Sequence, residues 1–166
     1  MKPQKPETGP QQHARRDFPA LDYVRSDQIR VLSANVRKRS ITGKMRRLSP
    51  SYTKQPVNYL SSSEVTIAIA QLGHIFFNNY LTLPSASCSG IISKQELKIL
   101  RNNHNIYYSN ICINFDEKIT DDVYTIRMNV RRVRDLSNNI FVFFNFTIQH
   151  GSSGDFTGVI PYNILR

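Results

Sequence analysis

Glu64, Gln71, His74 and Asn78 recur at spacings of seven, three and four inside an otherwise apolar run that ends at Leu81. On a helix those spacings place all four along one stripe. Polar residues on an apolar helix can house acid–base chemistry. Glu64 can act as general base on a water, or remove a proton next to a carbonyl. His74 is a candidate acid/base for dehydration or for addition to a conjugated double bond. Gln71 does not titrate, so it either orients substrate or water, or hydrogen-bonds a buried backbone group across a subunit interface. Each has a plainer role beside it: Glu64 closing a helix cap, His74 as a structural residue of the core.

The element that must carry the stripe is legible. Ser61-Ser62-Ser63-Glu64 opens a helix, with Ser61 and Glu64 spaced as a capping box in which each side chain satisfies a backbone N–H of the first turn. The segment from Val65 to Leu81 is apolar nearly all round, so the rest of the chain has to wrap it. The helix amino terminus offers unpaired N–H groups and the positive end of a dipole, which can polarise a carbonyl near Ser61 to Ser63. Tyr52, Asn58 and Tyr59 lie just before the helix and Asn78 near its end, as candidates to line a substrate.

The wrapping elements follow from alternation and turn chemistry. A chain of 166 residues, 40% hydrophobic, makes one domain, expected over 18–166. Residues 1–17 are rich in Pro, Gln and Lys and read as a disordered basic arm. A basic hairpin is expected from about Gln28 to Leu48, with a turn or bulge at Ile41-Thr42-Gly43-Lys44. After the helix come a Ser-rich loop, a short helix opened by Ser93, and strands at 106–115, 123–133, 140–149 and 158–165, with His150-Gly151-Ser152-Ser153-Gly154-Asp155 as a turn. One apolar helix preceded by a hairpin and followed by an antiparallel meander is an α+β arrangement, the layout of the hotdog fold, in which a sheet curls around the helix. Its free edge is expected to join a second subunit, giving a homodimer or higher oligomer.

Charge and composition exclude several classes. Residues 1–54 hold 13 Lys/Arg against 4 Asp/Glu, whereas residues 55–166 hold 9 against 8. Arg37, Arg39, Arg46 and Arg47 in the basic third are candidates to dock phosphates or an acidic partner. A solvated basic arm is the bland alternative. Nucleic acid is not favoured, because no helix-turn-helix, zinc-finger or RNP-like pattern accompanies the charge. Gln71, His74, Asn78 and Asn79 interrupt the longest apolar run, which argues against a membrane span. The amino terminus shows no apolar leader, so a cytoplasmic location is expected. Cys88 and Cys112 have neither C-x-x-C nor His at ligand spacing, so neither a metal nor a cofactor is expected. There is no G-x-S-x-G elbow, glycine-rich phosphate loop or H-E-x-x-H. Asp116-Glu117 and Asp121-Asp122 read as solvated turn residues.

The run Asn58-Tyr-Leu-Ser-Ser-Ser-Glu-Val-Thr-Ile-Ala-Ile-Ala-Gln-Leu-Gly-His74 resembles the helix signature of the FcoT-like hotdog thioesterases, which show an aromatic and a small polar residue before Glu, then an apolar heptad ending in Gln-Leu. More weakly, the resemblance extends through Tyr107 to Gln149 and Gly151 to Leu165. Glu64, Gln71 and Leu72 match the family directly. Ser61 stands where it tends to have Asn, His74 where it has Tyr, and Ala70 where it has a polar Asn; Tyr52 matches an upstream Tyr after one inserted residue. The resemblance implies chemistry on an acyl thioester of coenzyme A or acyl carrier protein, in a tunnel between subunits. Thioester hydrolysis is the family default. Ala70 and His74 keep open dehydration of a hydroxyacyl thioester or conjugate addition of an amine to an enoyl thioester. From a different class, a non-catalytic hotdog module that binds acyl groups or an acidic partner would tolerate Glu64 and His74 being sealed.

Overall fold

The computed structural model describes residues 18–48, 58–80, 92–136 and 138–162. Two short 3-10 turns, Pro19–Leu21 and Ser26–Gln28, lead into strands β1 (Val31–Arg37) and β2 (Ser40–Arg46). Helix α1 (Ser62–Tyr80) and helix α2 (Lys94–Asn102) follow, then β3 (Tyr107–Asn114), β4 (Val123–Leu136), β5 (Asn139–Ile148) and β6 (Ser153–Pro161). The strands form one six-stranded sheet in the order β1-β2-β4-β5-β6-β3, antiparallel at every step.

That order explains how the helix is enclosed. The chain leaves β2, passes through α1 and α2, and re-enters the sheet as β3 at the far edge; β4, β5 and β6 then fill the gap between. Inward residues alternate along the filling strands: Tyr124, Ile126, Met128 and Val130 on β4, and Ile140, Val142, Phe144, Phe146 and Ile148 on β5, all buried. Ile69, Leu72, Phe76 and Phe77 of α1 are buried with them in one core. Phe76 meets Phe144 edge-on at 5.4 Å, and Phe144 stacks on Phe156 at 4.6 Å. A curved antiparallel sheet around one central helix is an α+β hotdog fold.

Two glycines set how close the helix comes. A Cβ on Gly43 would run into the Leu72 side chain, and one on Gly158 would lie 2.5 Å from the Phe77 ring. Gly43 therefore belongs inside β2 and not to a turn, and the hairpin turns at Lys38 and Arg39 instead. Likewise β6 starts at Ser153, five residues earlier than expected, because Gly154 is needed for close approach to the Cys112 carbonyl and the Phe146 ring.

Helix α1 is less evenly wrapped than its composition suggests. Residues 71–77 are all buried, but Ser62 and Ile67 of the first half are exposed, Ile67 by 40%, as is Asn79 near the end. Helix α2 carries a complete capping box, Ser93 Oγ accepting from Glu96 N and Glu96 Oε2 from Ser93 N. The expected arm at 1–17, Tyr52 and Cys88 lie outside the described residues.

Candidate active site

The first turn of α1 adjoins a cleft of about 680 Å³ lined by Tyr59, Leu60, Ser61, Ser62, Phe115, Glu117 and Lys118. Its far wall is the loop between β3 and β4. Leu60 N donates to Ile119 O at 2.8 Å, and the Lys118 ammonium lies 5.1 Å from the Tyr59 ring centroid. His150, in a left-handed conformation at φ 65°, braces the loop between Glu117 and Asp121, at 3.4 and 3.2 Å. The acidic turn residues therefore organise one side of the cleft. Tyr59 is 44% exposed, and Asn58 is exposed at the edge of the described segment.

Glu64 sits in that same first turn, and only half of the expected capping box forms. Ser61 Oγ accepts from Glu64 N at 3.3 Å and shares a 2.9 Å bond with Ser63 Oγ. The Glu64 carboxylate turns inward, and Oε1 accepts from Leu48 N at 2.8 Å. Its other oxygen, Oε2, is buried without a hydrogen-bond partner among the described residues. The residue is 2% exposed. Tertiary contact replaces the cap because Leu48, leaving β2, offers a backbone N–H that no ladder partner takes.

The remaining stripe residues are differently engaged. Gln71 Oε1 accepts from Arg30 N at 2.8 Å and Gln71 Nε2 donates to Gln28 O at 2.8 Å, so its amide clamps the approach to β1 within its own chain. His74 is buried between Tyr23 and Tyr108, with ring centroids at 5.1 and 5.5 Å. Burial, reinforced by the Arg101 charge, lowers its pKa to about 3, so the ring is neutral at working pH. Arg101 is itself buried, 3.2 Å from Asp22. Asn78 is half-buried near the end of α1.

The four arginines do not form one patch. Arg37 and Arg39 lie at the hairpin tip, about 20 Å of strand away from Arg46 and Arg47. Arg39 Nη2 donates to the Val130 and Arg131 carbonyls, Arg46 Nε to Ile29 O, and Arg47 pairs with Asp122 at 2.7 Å. Arg46 and Arg47 are half-buried, at the end of the hairpin that leads to Glu64.

Two residues that sequence reasoning passed over belong to this region. Arg30 is 4% exposed and Tyr124 is fully buried. Burial holds the Tyr124 hydroxyl above its ordinary range, with Glu64 adding and Arg30 opposing. Burial lowers the Arg30 pKa, opposed chiefly by Glu64. Alternation alone places Tyr124 on the inner face of β4; only the fold brings it into the field of Glu64.

Among the described residues no group of three or more His, Cys, Asp or Glu is placed to hold a metal ion, and no helix is long and apolar enough to cross a membrane. No family model matches the chain, and no curated protein matches it. Among solved structures it is similar to a hypothetical thioesterase of Streptococcus pneumoniae TIGR4 solved with coenzyme A, at 10% identity over 76% of this chain and 82% of that one, with a TM-score of 0.45. A thioesterase of Haemophilus influenzae aligns at 14% identity over 77% and 76%, TM-score 0.41. A hypothetical protein of Staphylococcus aureus in complex with CoA aligns at 12% over 81% and 78%, TM-score 0.42. The site described above stands on this chain's own geometry.

Proposed function

We propose that the protein is an enzyme acting on acyl thioesters of coenzyme A or an acyl carrier protein, with hydrolysis as its reaction. One observation carries the reading: among the described residues the buried Glu64 carboxylate keeps one oxygen unpartnered, in the first turn of a helix whose amino terminus opens on a cleft. A buried carboxylate oxygen without a donor is costly unless it has work to do. In the reaction, Glu64 takes a proton from water as the water oxygen bonds to the thioester carbon. First-turn amides of α1 stabilise the oxyanion. When the carbon–sulfur bond breaks, the thiolate leaves with the proton held on Glu64.

Dehydration of a hydroxyacyl thioester would use the same carboxylate on a carbon-bound proton. A step that needs a protonated His74 is disfavoured, because its ring is held neutral. Arg37, exposed at the hairpin tip, is the arginine of the four best disposed to meet a phosphate or an acidic carrier. A dimer is part of the reading, with β3 as the seam; light scattering over a concentration series tests it.

A second reading, a non-catalytic acyl-binding module, is favoured by the sealing of both Glu64 and His74, at 2% and 8% exposure. Incubating the purified protein with acyl, hydroxyacyl and enoyl thioesters, followed by mass spectrometry, separates the two. Released acid and thiol support the hydrolase, whereas retention of an unchanged thioester supports the module.

A further inference from the structure

Among the described residues, Arg30 Nε, Glu64 Oε2 and Tyr124 Oη are buried side-chain atoms from three parts of the chain that have no hydrogen-bond partner. Their residues are 4%, 2% and 0% exposed. The register brings their backbones into one neighbourhood. Val31 pairs with Met45 and Met45 with Tyr124, so Tyr124 lies two strands from the residue that follows Arg30. Arg46 N donates to Arg30 O, and Leu48, two residues further on, donates to Glu64. The charges of Arg30 and Glu64 each act on Tyr124 and on one another.

The inventory of donors and acceptors says what fits among them. Arg30 Nε can only donate, an ionised Glu64 Oε2 can only accept, and the Tyr124 hydroxyl can do either. They do not bond one another directly. A guest that satisfies all three must accept from Arg30 and donate to Glu64, and it can either accept from or donate to Tyr124, in a polar space lined by enough partners to hold it. Water is the smallest molecule that does so.

We propose that Arg30, Glu64 and Tyr124 bind one water molecule on the inner side of the sheet, which accepts from Arg30 Nε–H and Tyr124 Oη–H and donates to Glu64 Oε2. Arg30 and Tyr124 are then positioning residues that act through this water. Resting on the hydrolase reading, the bound molecule is the nucleophile that Glu64 deprotonates. Its O–H bond breaks toward Oε2 as its oxygen bonds to the thioester carbon.

A high-resolution crystal structure of the full chain tests the site directly. The expected result is a water within about 3.2 Å of all three atoms, lost or displaced in Tyr124→Phe. A dry site, or the three side chains bonded to one another, overturns the proposal. For kinetics, Tyr124→Phe removes one oxygen and keeps the ring, so kcat should fall about tenfold or more while KM and Tm stay close to wild type. Arg30→Lys, which keeps a donor, should retain more turnover than Arg30→Met. Unchanged kcat in Tyr124→Phe overturns the positioning role. If the wild type turns over no thioester, the hydrolase reading falls, and the wild-type density alone decides for or against the water site.

Discussion

Glu64 Oε1 accepts the backbone N–H of Leu48 at 2.8 Å, which ties the first turn of the central helix to the end of the basic hairpin. The bond fixes the carboxylate in one rotamer and leaves Oε2 as its free face. A residue engaged only in helix capping would have reached back to its own first turn, as Glu96 does at α2. One oxygen of the side chain is thus bonded and the other is not, and the role proposed for the second is testable.

Glu64→Gln keeps an acceptor for Leu48 N and loses the base. Turnover should fall by at least about a hundredfold, with Tm shifted by no more than a few degrees. Steady-state kinetics and thermal melts of the same preparation check this. Full activity in the variant would leave Glu64 a purely architectural role.

His74→Phe should retain turnover within about threefold, since the ring it replaces is neutral and packed between aromatic partners. Its effect belongs in the pH dependence of stability. The folded-state pKa, about 3, lies below the unfolded value, so the unfolded chain binds the proton first. The wild type should lose stability relative to the variant as pH falls from about 6.5 to 3, with no further relative loss below that. Urea midpoints at pH 7 and pH 4 measure it; parallel curves would contradict the buried neutral ring.

Gln71→Leu removes both bonds to the segment before β1 and strands Arg30 N, leaving Gln28 O with only the Arg30 Nη1 bond. A loss of about 2–4 kcal/mol in unfolding free energy is expected, far more than a surface substitution gives. Chemical denaturation supplies the number. Stability within about 0.5 kcal/mol of wild type would show that water or a shifted side chain replaces the amide.

Gly43→Ala should destabilise by about 1–3 kcal/mol, because its Cβ meets Leu72 at the closest approach of helix and sheet. Pairing it with Leu72→Ala should relieve part of the cost, which a double-mutant cycle reads as non-additivity. Strict additivity would place the strain elsewhere.

The arginines should separate into two groups. Arg37→Glu at the exposed hairpin tip should raise KM for carrier-bound substrate, with an effect that shrinks as salt is added. Arg46→Glu breaks the bond to Ile29 O and should appear mainly as a lower Tm. Kinetics at two ionic strengths, alongside melts, distinguish binding from architecture.

Sequence by itself determined the central helix, the short helix opened by Ser93, the strand-rich second half and the α+β layout, because periodicity and capping are local properties of the chain. It placed Glu64 at a helix start and Tyr124 in a strand. It could not show that Gly43 and Gly154 serve close packing inside strands, since a glycine looks the same in a turn and under a neighbouring side chain. Nor could it show which atom Glu64 holds. That choice was made when β2 delivered the Leu48 N–H to α1 and the sheet order carried Tyr124 and Arg30 into the same interior. Hydrogen bonds between residues 16 or more positions apart depend on how the chain closes on itself, and only the tertiary structure decides that.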